Sequence, residues 1–391
     1  MNEIDNQIKN EKIILIAIMS LSFMFYTSMF YVSPLIPDII TDYNASYVTI
    51  SSLMYLLFIP QIIFSIYASS LISRFNEKVV VFLGIIFISL GALIFAIDYH
   101  FVFLQIGRFI IGVGVALSFV ATMTFVSKYF GEKKRATASG FIALTYSLSI
   151  LFSFNIFGWV AASINYKYSA WLMFMLSLAI GVPFSIAIRC FPTVSEKSIK
   201  VVNFMKGLKN KQMLMLALLW LALNMGIGAY LTWIKVFLMS YKGISPILAD
   251  FLSSMMMLLG FLRPLVGMLS DRLKKRKIFI TTSTFGYSMT VLLLPFLEGA
   301  LIYIDFLVMS IASVFVAPIV LALPGDIMKE DAEVGYGILN TSANIGYLIG
   351  PIITAYLFDT TGLLIGFISI GLFFMLSFIS VSYTHLTLPT N

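Results

Sequence analysis

Three basic residues lie inside long apolar stretches of the chain, where a charged side chain needs a reason. Arg108, Lys235 and Arg263 are each flanked on both sides by apolar sequence. A charge in hydrocarbon costs roughly 2.5–3.5 kcal/mol on insertion scales, so such groups pair with one another, face a cavity or serve a function. A guanidinium presents five donors in a planar fork that matches a carboxylate. Because fixed positive charge exceeds fixed negative charge inside these stretches, the pattern favours binding of a small organic anion.

Each of these residues also has a structural interpretation. Arg108 would either face a central cavity, for substrate or proton-linked pairing, or bond to backbone carbonyls or extend to the interface. Arg263 would either bind a carboxylate or brace the cytoplasmic end of its stretch. Lys235 lies only some five residues from the end of its stretch. Its long stem favours extension to the interface over a binding role.

Uncharged polar residues inside the stretches mark further candidate contacts with a substrate. Amides and phenols can donate to and accept from a polar solute, and packing is the alternative for each aromatic residue. The candidates are Tyr26, Tyr146, Asn155, Asn224 and Asn344.

Acidic residues are placed differently from the basic ones. No carboxylate falls in the middle of an apolar stretch, and Asp250 and Asp305 come nearest to one. Both lie close to predicted outer helix ends, where water is available. A proton-coupled carrier needs a buried carboxylate that titrates near the working pH. The sequence therefore leaves proton symport, exchange and uniport all open.

The chain contains twelve apolar stretches, and the candidate residues named above lie within them. Apart from the three cations above, Arg189 at the inner end of the sixth stretch, and Lys167 and Lys242, each of the 25 Lys and Arg residues lies in the N-terminal tail or in alternate connections between stretches. Cytoplasmic loops retain Lys and Arg during insertion, so this pattern predicts twelve transmembrane helices with both termini cytoplasmic. The predicted spans are 13–34, 48–70, 79–97, 101–127, 137–163, 169–190, 213–240, 247–270, 278–297, 301–324, 337–358 and 363–381.

Composition excludes several other classes of protein. At 60% hydrophobic and 11% charged residues, the chain leaves no room for a sizeable soluble domain. Its net charge of +7 comes from Lys and Arg residues in the predicted cytoplasmic loops and does not indicate a surface that binds nucleic acid. His100 and His385 fall on opposite sides of the predicted membrane, and Cys190 is the one cysteine. We therefore expect no enzyme active site, no metal site and no cofactor. The first stretch is predicted to be a retained span rather than a removed signal.

The chain divides into two similar halves. A basic segment, 191–212, separates an N-terminal six-helix bundle, 1–190, from a C-terminal one, 213–381, and a tail of non-native appearance, 382–391, follows. The connection after the second span aligns without gaps with the connection after the eighth. Two six-span halves related by an axis along the membrane normal are typical of one large transporter class. The predicted fold is all-α, with twelve transmembrane helices in two pseudo-symmetric six-helix bundles.

These connections carry a family resemblance. Gly267, Asp271 and Arg272, followed by a basic pair, resemble the loop signature of the major facilitator superfamily, and the first-half copy at 69–78 is degraded. Arg108 with Gly112 and Gly114, Arg135 with Gly140, and Gly350-Pro351 with Asp359 resemble further motifs of that family. The resemblance extends over essentially the whole chain. It implies that Gly267, Asp271 and Arg272 act in gating, with Asp271 paired to a neighbouring helix N-terminus.

The resemblance implies a secondary active or facilitative transporter that works by alternating access. We expect a monomer in the cell membrane, with a small molecule and the lipid bilayer as its partners. A small organic anion is the favoured substrate. Export of amphipathic drugs or cations is the alternative, and a sensor of the same fold would bind ligand without flux. The fifth span lacks the proline of drug/proton antiporters, and the sugar-porter run after the sixth span is absent.

Overall fold

A computed structural model describes residues 2–130, 132–188, 191, 207, 209–263, 265, 276–328 and 332–383. All regular structure in these residues is helical. The α-helices are α1 (Asn2–Phe30), α2 (Ile36–Tyr43), α3 (Tyr47–Phe75), α4 (Glu77–Ile97), α5 (Phe101–Tyr129), α6 (Glu132–Phe152), α7 (Gly158–Ser163), α8 (Tyr166–Ala187), α9 (Lys211–Ser240), α10 (Pro246–Met255), α11 (Arg276–Leu293), α12 (Ala300–Met328), α13 (Ala332–Thr361) and α14 (Leu363–Tyr383). Short 3-10 turns cover Ser33–Leu35, Gly260–Leu262 and Leu294–Phe296, and a π-helical turn covers Ser153–Phe157.

Ten helical segments of the described chain are long and apolar enough to cross a membrane. A shorter apolar segment, Pro246–Leu262, and helix α13 occupy the places of the eighth and eleventh predicted spans. Helix α4 shows how such a segment meets lipid. Phe82, Ile86 and Leu90 repeat every fourth residue and are exposed, whereas Gly84 and Ile88 face helix α5. An exposed apolar stripe on one face is the surface that hydrocarbon chains solvate.

The chain forms two compact units. The first contains Met1–Leu35 and Leu56–Lys200, and the second contains Ile36–Tyr55 and Val201–Asn391. The segment 36–55 precedes the middle of the chain by more than a hundred residues, yet it packs with the second unit. Helix α2 contacts α9, and the start of α3 contacts the end of α13.

The first predicted span, 13–34, does not continue as one helix. Helix α1 ends at Phe30, and a 3-10 turn leads into α2. Pro34 has no amide hydrogen to donate to the carbonyl of Phe30, and Pro37 has none for Ser33, so the α-helical ladder breaks here. The last carbonyls of α1 are then left without partners from their own helix.

The eighth predicted span, 247–270, also differs from a single helix. Helix α10 ends at Met255, and turns lead to the 3-10 segment before Arg263. The backbone amide of Leu259 donates to Ser310 Oγ of α12 at 3.2 Å, instead of continuing a helical ladder. Arg263 itself has α-helical backbone angles, with φ at −53° and ψ at −40°.

In the second unit, α9 and α13 approach at backbone distance. A Cβ atom added at Gly350 would lie 2.1 Å from the carbonyl oxygen of Met225, and one at Gly346 would lie 2.6 Å from that of Leu221. Trp233 Nε1 donates to the carbonyl oxygen of Pro351 at 3.0 Å. Only glycine permits helices to pack this closely. This contact fixes the position of the part of α9 that carries Asn224 and Lys235.

Candidate functional site

Arg108 is completely buried in the first unit, on helix α5. Its Nη1 donates to the carbonyl oxygen of Ser28 at 2.9 Å, and its Nη2 donates to that of Met29 at 3.0 Å. The guanidinium also lies 5.9 Å from the ring centroid of Tyr31. These two carbonyls belong to the broken end of α1, which leaves them without helical partners. Of the two interpretations of Arg108, the geometry matches the one in which it bonds to backbone carbonyls.

Gly112 lies one turn after Arg108 and sets the distance between two helices. A Cβ atom at this position would lie 2.2 Å from the carbonyl oxygen of Leu57 and 2.6 Å from the ring of Pro60, both in α3. The absence of a side chain at Gly112 therefore permits the approach of α3. The close contact holds α5, and with it Arg108, at a fixed depth in the first unit.

Tyr26 and Tyr146 are brought together in the first unit. Their ring centroids lie 5.2 Å apart in an edge-on arrangement between α1 and α6, and Phe30 lies 5.6 Å from Tyr146. Both tyrosines are half-buried. The pair is therefore packed as an aromatic cluster and keeps part of its surface open to solvent or solute.

Asn155 lies in the π-helical turn Ser153–Phe157, which the sequence pattern did not reveal. Its Nδ2 donates to the carbonyl oxygen of Leu151 at 2.8 Å, and the side chain is half-buried. A π turn inserts one extra residue into an α-helix and is frequent at functional sites. The turn rotates the side chains that follow it relative to those of α6.

Asn224 and Asn344 are both buried in the second unit, with 3% and 8% of their surfaces exposed. Asn224 Nδ2 donates to the carbonyl oxygen of Trp220 at 2.6 Å, one turn back along α9. Gly346 of α13 faces the backbone of Asn224, and Asn344 lies two residues before that glycine. The two asparagines therefore belong to the region where α9 and α13 meet.

Lys235 does not extend to the interface, which corrects the expectation from its sequence position. The residue is 1% exposed, and its Nζ lies 2.8 Å from Oδ2 of Asp250 on α10, which is itself 2% exposed. Helices α9 and α10 form a hairpin that places the two charges opposite each other. The ammonium of Lys235 is paired with a carboxylate inside the protein. Removing either partner of a short, buried ion pair strongly destabilises the folded protein, because the other charge is left uncompensated.

The interfacial placement expected of Asp250 and Asp305 is also wrong. Asp305, on α12, is 8% exposed and lies within electrostatic reach of Tyr230 on α9. Asp38, on α2, is half-buried and lies within electrostatic reach of both Lys235 and Asp250. Position along a helix does not reveal which face a neighbouring helix covers. The resulting group of Asp38, Lys235 and Asp250 is called here the charge cluster.

Asp359 has a defined structural role that the sequence did not predict. Its carboxylate accepts from the backbone amides of Tyr47 at 3.1 Å and Val48 at 2.9 Å, at the first residues of α3. A carboxylate stabilises a helix N-terminus because the first amides lack helical partners and carry partial positive charge. Tyr47 also packs edge-on against Trp233 and Phe358.

Arg263 is 8% exposed, and its Nη2 lies 3.2 Å from the sulfur atom of Met257. A thioether sulfur is a weak acceptor. The predicted gating residues Gly267, Asp271 and Arg272 lie outside the described residues. No group of three or more His, Cys, Asp or Glu side chains with metal-ligand geometry occurs in the described part of the chain.

Comparison with known proteins gives a consistent family. A family model described as Major Facilitator Superfamily matches residues 18–333 and 243–390. The chain is 25% identical over 336 residues to the probable galactarate/D-glucarate transporter GudP of Bacillus subtilis (strain 168), covering 75% of this chain and 73% of that protein. It is 24% identical over 319 residues to the hexuronate transporter of the same organism, covering 74% of each.

A shorter match and a structural match complete the comparison. Multidrug resistance protein 2 of Bacillus subtilis (strain 168) is 26% identical over 154 residues, covering 39% of this chain and 38% of that protein. A crystal structure of a bacterial homolog to the human lysosomal transporter Spinster, inward-facing and unoccupied, superposes with a TM-score of 0.76 at 14% identity. The superposition covers 95% of this chain and 97% of that one.

These matches confirm the predicted resemblance and the predicted fold, an all-α membrane protein with twelve transmembrane helices. The family model covers most of the chain, and the two relatives that match about three-quarters of the chain are named as transporters. This chain belongs to the Major Facilitator Superfamily.

Proposed function

We propose that this protein carries a small polyhydroxylated carboxylate, of the sugar-acid class, across the cell membrane by alternating access. The observation that carries the proposal is the match to relatives named for galactarate, D-glucarate and hexuronate over about three-quarters of both chains. All three named solutes are sugar acids. Sugar acids fall within the broader class of small organic anions that the sequence pattern favours.

Arg263 is the residue that we propose to bind the substrate carboxylate. Arg108 is a guanidinium that bonds to two backbone carbonyls, and Lys235 is an ammonium that pairs with a carboxylate. Arg263 is a guanidinium in an apolar stretch, with 8% of its surface exposed. A guanidinium in a dry environment attracts a carboxylate more strongly than it does in water, and its planar fork selects the geometry of that group.

The hydroxyl groups of a sugar acid need donors and acceptors of a different kind. In the first unit, Tyr26, Tyr146 and Asn155 are half-buried and carry a phenol or an amide. In the second unit, Asn224 and Asn344 supply amides. We propose that these groups hydrogen-bond substrate hydroxyls, because amides and phenols can both donate and accept.

The remaining features of the transporter are proposals from sequence. Both termini lie in the cytoplasm, the protein works as a monomer, and Gly267, Asp271 and Arg272 gate its inner side. The bundles 1–190 and 213–381, joined by the linker 191–212, rearrange so that the substrate site opens to one side at a time. Such a change requires the substrate to bind the two conformations with different free energies.

Export of amphipathic drugs is the second candidate function. It is supported by the 154-residue match to Multidrug resistance protein 2. That match covers 39% of the chain, against 75% for the sugar-acid relative. A drug exporter would bind the cationic dye ethidium and would not distinguish a sugar acid from its neutral polyol.

Arg263→Lys is expected to weaken the recognition of glucarate without loss of folded protein. In the unaltered protein, saturating D-glucarate should raise the thermal unfolding temperature in detergent, since a ligand at 100 times its Kd stabilises by about 2.7 kcal/mol. The neutral polyol glucitol should give no shift. Lysine keeps the charge but loses the planar fork, so the apparent affinity for glucarate should fall about tenfold or more.

Arg276→Lys is the matched control, because Arg276 pairs with Asp326 and is partly exposed. It should leave the glucarate shift unchanged. An unaltered shift in Arg263→Lys and also in Arg263→Ala would assign Arg263 to a structural role. A shift with ethidium and none with glucarate would favour the drug exporter.

A further inference from the structure

Segment 36–55 belongs to the N-terminal bundle by sequence and to the second unit by packing. It contains α2 and the first residues of α3. The residues before it, up to Leu35, and after it, from Leu56, both belong to the first unit. Among the described residues of the predicted bundle 1–190, no other part packs with the second unit. The contacts that hold this segment therefore act on a part of the chain that the N-terminal bundle carries.

The first turn of α3 obtains two of its acceptors from a distant part of the chain. The amide of Tyr47 donates to Asp359 Oδ1 at 3.1 Å, and the amide of Val48 donates to Asp359 Oδ2 at 2.9 Å. The next amide, of Thr49, donates to Ser46 Oγ at 3.2 Å. The first amides of a helix have no partner within the helix. The residue before α3 therefore supplies one acceptor, and the carboxylate at the end of α13 supplies the other two.

Aromatic packing reinforces this contact. The ring of Tyr47 lies edge-on to Trp233 of α9, with centroids 5.7 Å apart, and to Phe358 of α13, with centroids 5.2 Å apart. Trp233 is completely buried, and Tyr47 is one of the side chains that cover it. Removal of segment 36–55 from the second unit would therefore uncover Trp233.

The charge cluster does not hold the segment in the same way. Asp38 of α2 lies within electrostatic reach of both Lys235 and Asp250. Because Lys235 and Asp250 form a neutral pair, attraction of Asp38 to one of them and repulsion by the other oppose each other. The short and directional contacts of the segment are those with Asp359 and with the aromatic rings.

The contact with Asp359 is strong enough to favour one conformation and weak enough to break. Asp359 is exposed, and both of its bonds to the amides of α3 lie in exposed surroundings. Water therefore solvates the carboxylate and the amides when they separate. A side chain that caps a helix N-terminus changes an equilibrium constant by about fivefold in the typical case.

We propose that the bonds from the amides of Tyr47 and Val48 to Asp359 form a latch, which keeps the transporter closed at the end where α2 lies. This inference rests on the proposed function, because it assumes alternating access. By the topology proposed above, that end faces outward and lies opposite the proposed inner gate. The latch is then the contact that breaks each time the carrier opens to the outside.

Continuity of the chain determines which groups separate. Helix α3 runs from Tyr47 to Phe75 as one helix, so its first turn moves with the N-terminal bundle. Asp359 moves with the C-terminal bundle, to which α13 belongs. Separation of the bundles at this end therefore takes the two amides away from the carboxylate. The 3-10 turn at Ser33–Leu35 gives α2 a place at which its angle to α1 changes.

Asp359→Asn tests the latch in intact cells that express the full chain. Asparagine keeps the size of the side chain but loses the charge and one of the two acceptor oxygens. A weaker latch raises the fraction of protein open to the outside, and apparent affinity rises in proportion to the competent fraction. The external concentration of labelled D-glucarate that gives half-maximal uptake should therefore fall, by up to about fivefold. Loss of the first turn of α3 alone would not increase affinity.

Two further variants accompany Asp359→Asn. Glu298→Gln is the matched control, because it removes an exposed carboxylate from the connection between α11 and α12, on the same predicted side of the membrane. It should keep the wild-type half-maximal concentration. Asp359→Glu retains a carboxylate on a longer stem, so it should change that concentration in the same direction as Asp359→Asn but by less. It also provides a second test if Asp359→Asn does not fold.

A second measurement is independent of substrate. With Trp159, Trp171 and Trp220 changed to Phe, Trp233 is the one tryptophan left in the chain. In the purified protein, quenching of its fluorescence by acrylamide should increase when Asp359→Asn is added, because opening uncovers the ring. Adding Glu298→Gln should leave the quenching unchanged.

The two measurements separate the latch from the proposed function. If no variant takes up glucarate but quenching of Trp233 increases in Asp359→Asn and not in Glu298→Gln, the proposed function fails and the latch stands. Quenching that is the same in Asp359→Asn as in its parent or in Glu298→Gln would overturn the latch. In a protein that takes up glucarate, an unchanged or raised half-maximal concentration in Asp359→Asn would overturn it as well.

Discussion

Arg108→Met is expected to destabilise the protein strongly, because it removes both donors that satisfy the broken end of α1. The carbonyl oxygens of Ser28 and Met29 accept from Arg108 at 2.9 and 3.0 Å in a fully buried environment. Leaving a buried carbonyl without a partner costs roughly 1–3 kcal/mol for each group. Thermal unfolding of the purified protein in detergent should show a large loss, and folded yield should fall with it.

Two further arginine variants provide a comparison for this loss of thermal stability. Arg108→Lys should be intermediate, since an ammonium is a compact donor that lacks the fork needed to reach two carbonyls in fixed geometry. Arg74→Met, at an exposed arginine over the ring of Phe75, should change the unfolding temperature little. An Arg108→Met protein as stable as the wild type would show that the end of α1 does not depend on this residue.

Lys235→Met is expected to have a comparable effect in the second unit. The change leaves the buried carboxylate of Asp250 without its cation and within electrostatic reach of Asp38. Breaking a buried ion pair by removing one partner costs about 3–5 kcal/mol, because the remaining charge is uncompensated. Thermal unfolding in detergent at neutral pH measures the loss. Acidification should recover part of it, since protonation removes the uncompensated charge.

The double variant Lys235→Met/Asp250→Leu separates charge from packing. An apolar pair of similar volume in place of a buried ion pair is often neutral or stabilising, and the half-buried Asp38 can remain solvated. We therefore expect the double variant to be more stable than Lys235→Met alone. Lys167→Met is the control. Lys167 pairs with Asp98 at 3.1 Å but is 46% exposed, and buried Asp98 keeps the hydroxyl of Tyr166 as a donor at 2.8 Å, so the loss of Lys167 should cost less than that of Lys235. If Lys235→Met destabilised the protein no more than Lys167→Met does, the Lys235–Asp250 pair would contribute no more to stability than a solvent-exposed ion pair.

The fold was predictable because its signals are local and additive. A membrane span depends on the summed hydropathy of about 20 residues. Loop charge and short motifs then led to the family. The ends of α1 and α10 were missed, although Pro34 and Pro37, at the end of α1, are visible in the sequence. Apolar composition continues through a helix break, and a hydropathy window does not register the missing amide hydrogens.

The contacts of the candidate residues were predictable only in part. The approach of a helix at Gly112 has a local signal, because a small residue in a span permits it. The Lys235–Asp250 pair was missed, although opposite charges at similar depths on adjacent spans are a usable signal. The bonds from Asp359 to the amides of Tyr47 and Val48 connect residues 312 and 311 positions apart. No local pattern predicts such a contact, because it depends on how distant helices pack.

Counterflow of labelled D-glucarate in proteoliposomes tests the proposed transport of sugar acids most directly. Vesicles loaded with unlabelled D-glucarate and diluted into labelled D-glucarate should accumulate label transiently, which requires a carrier that exchanges the solute. Unlabelled galactarate in the external medium should compete, and the neutral polyol glucitol should not, because the carboxylates are the groups that the arginine recognises. Label uptake no faster than in protein-free vesicles, or equal competition by glucitol, would contradict the account.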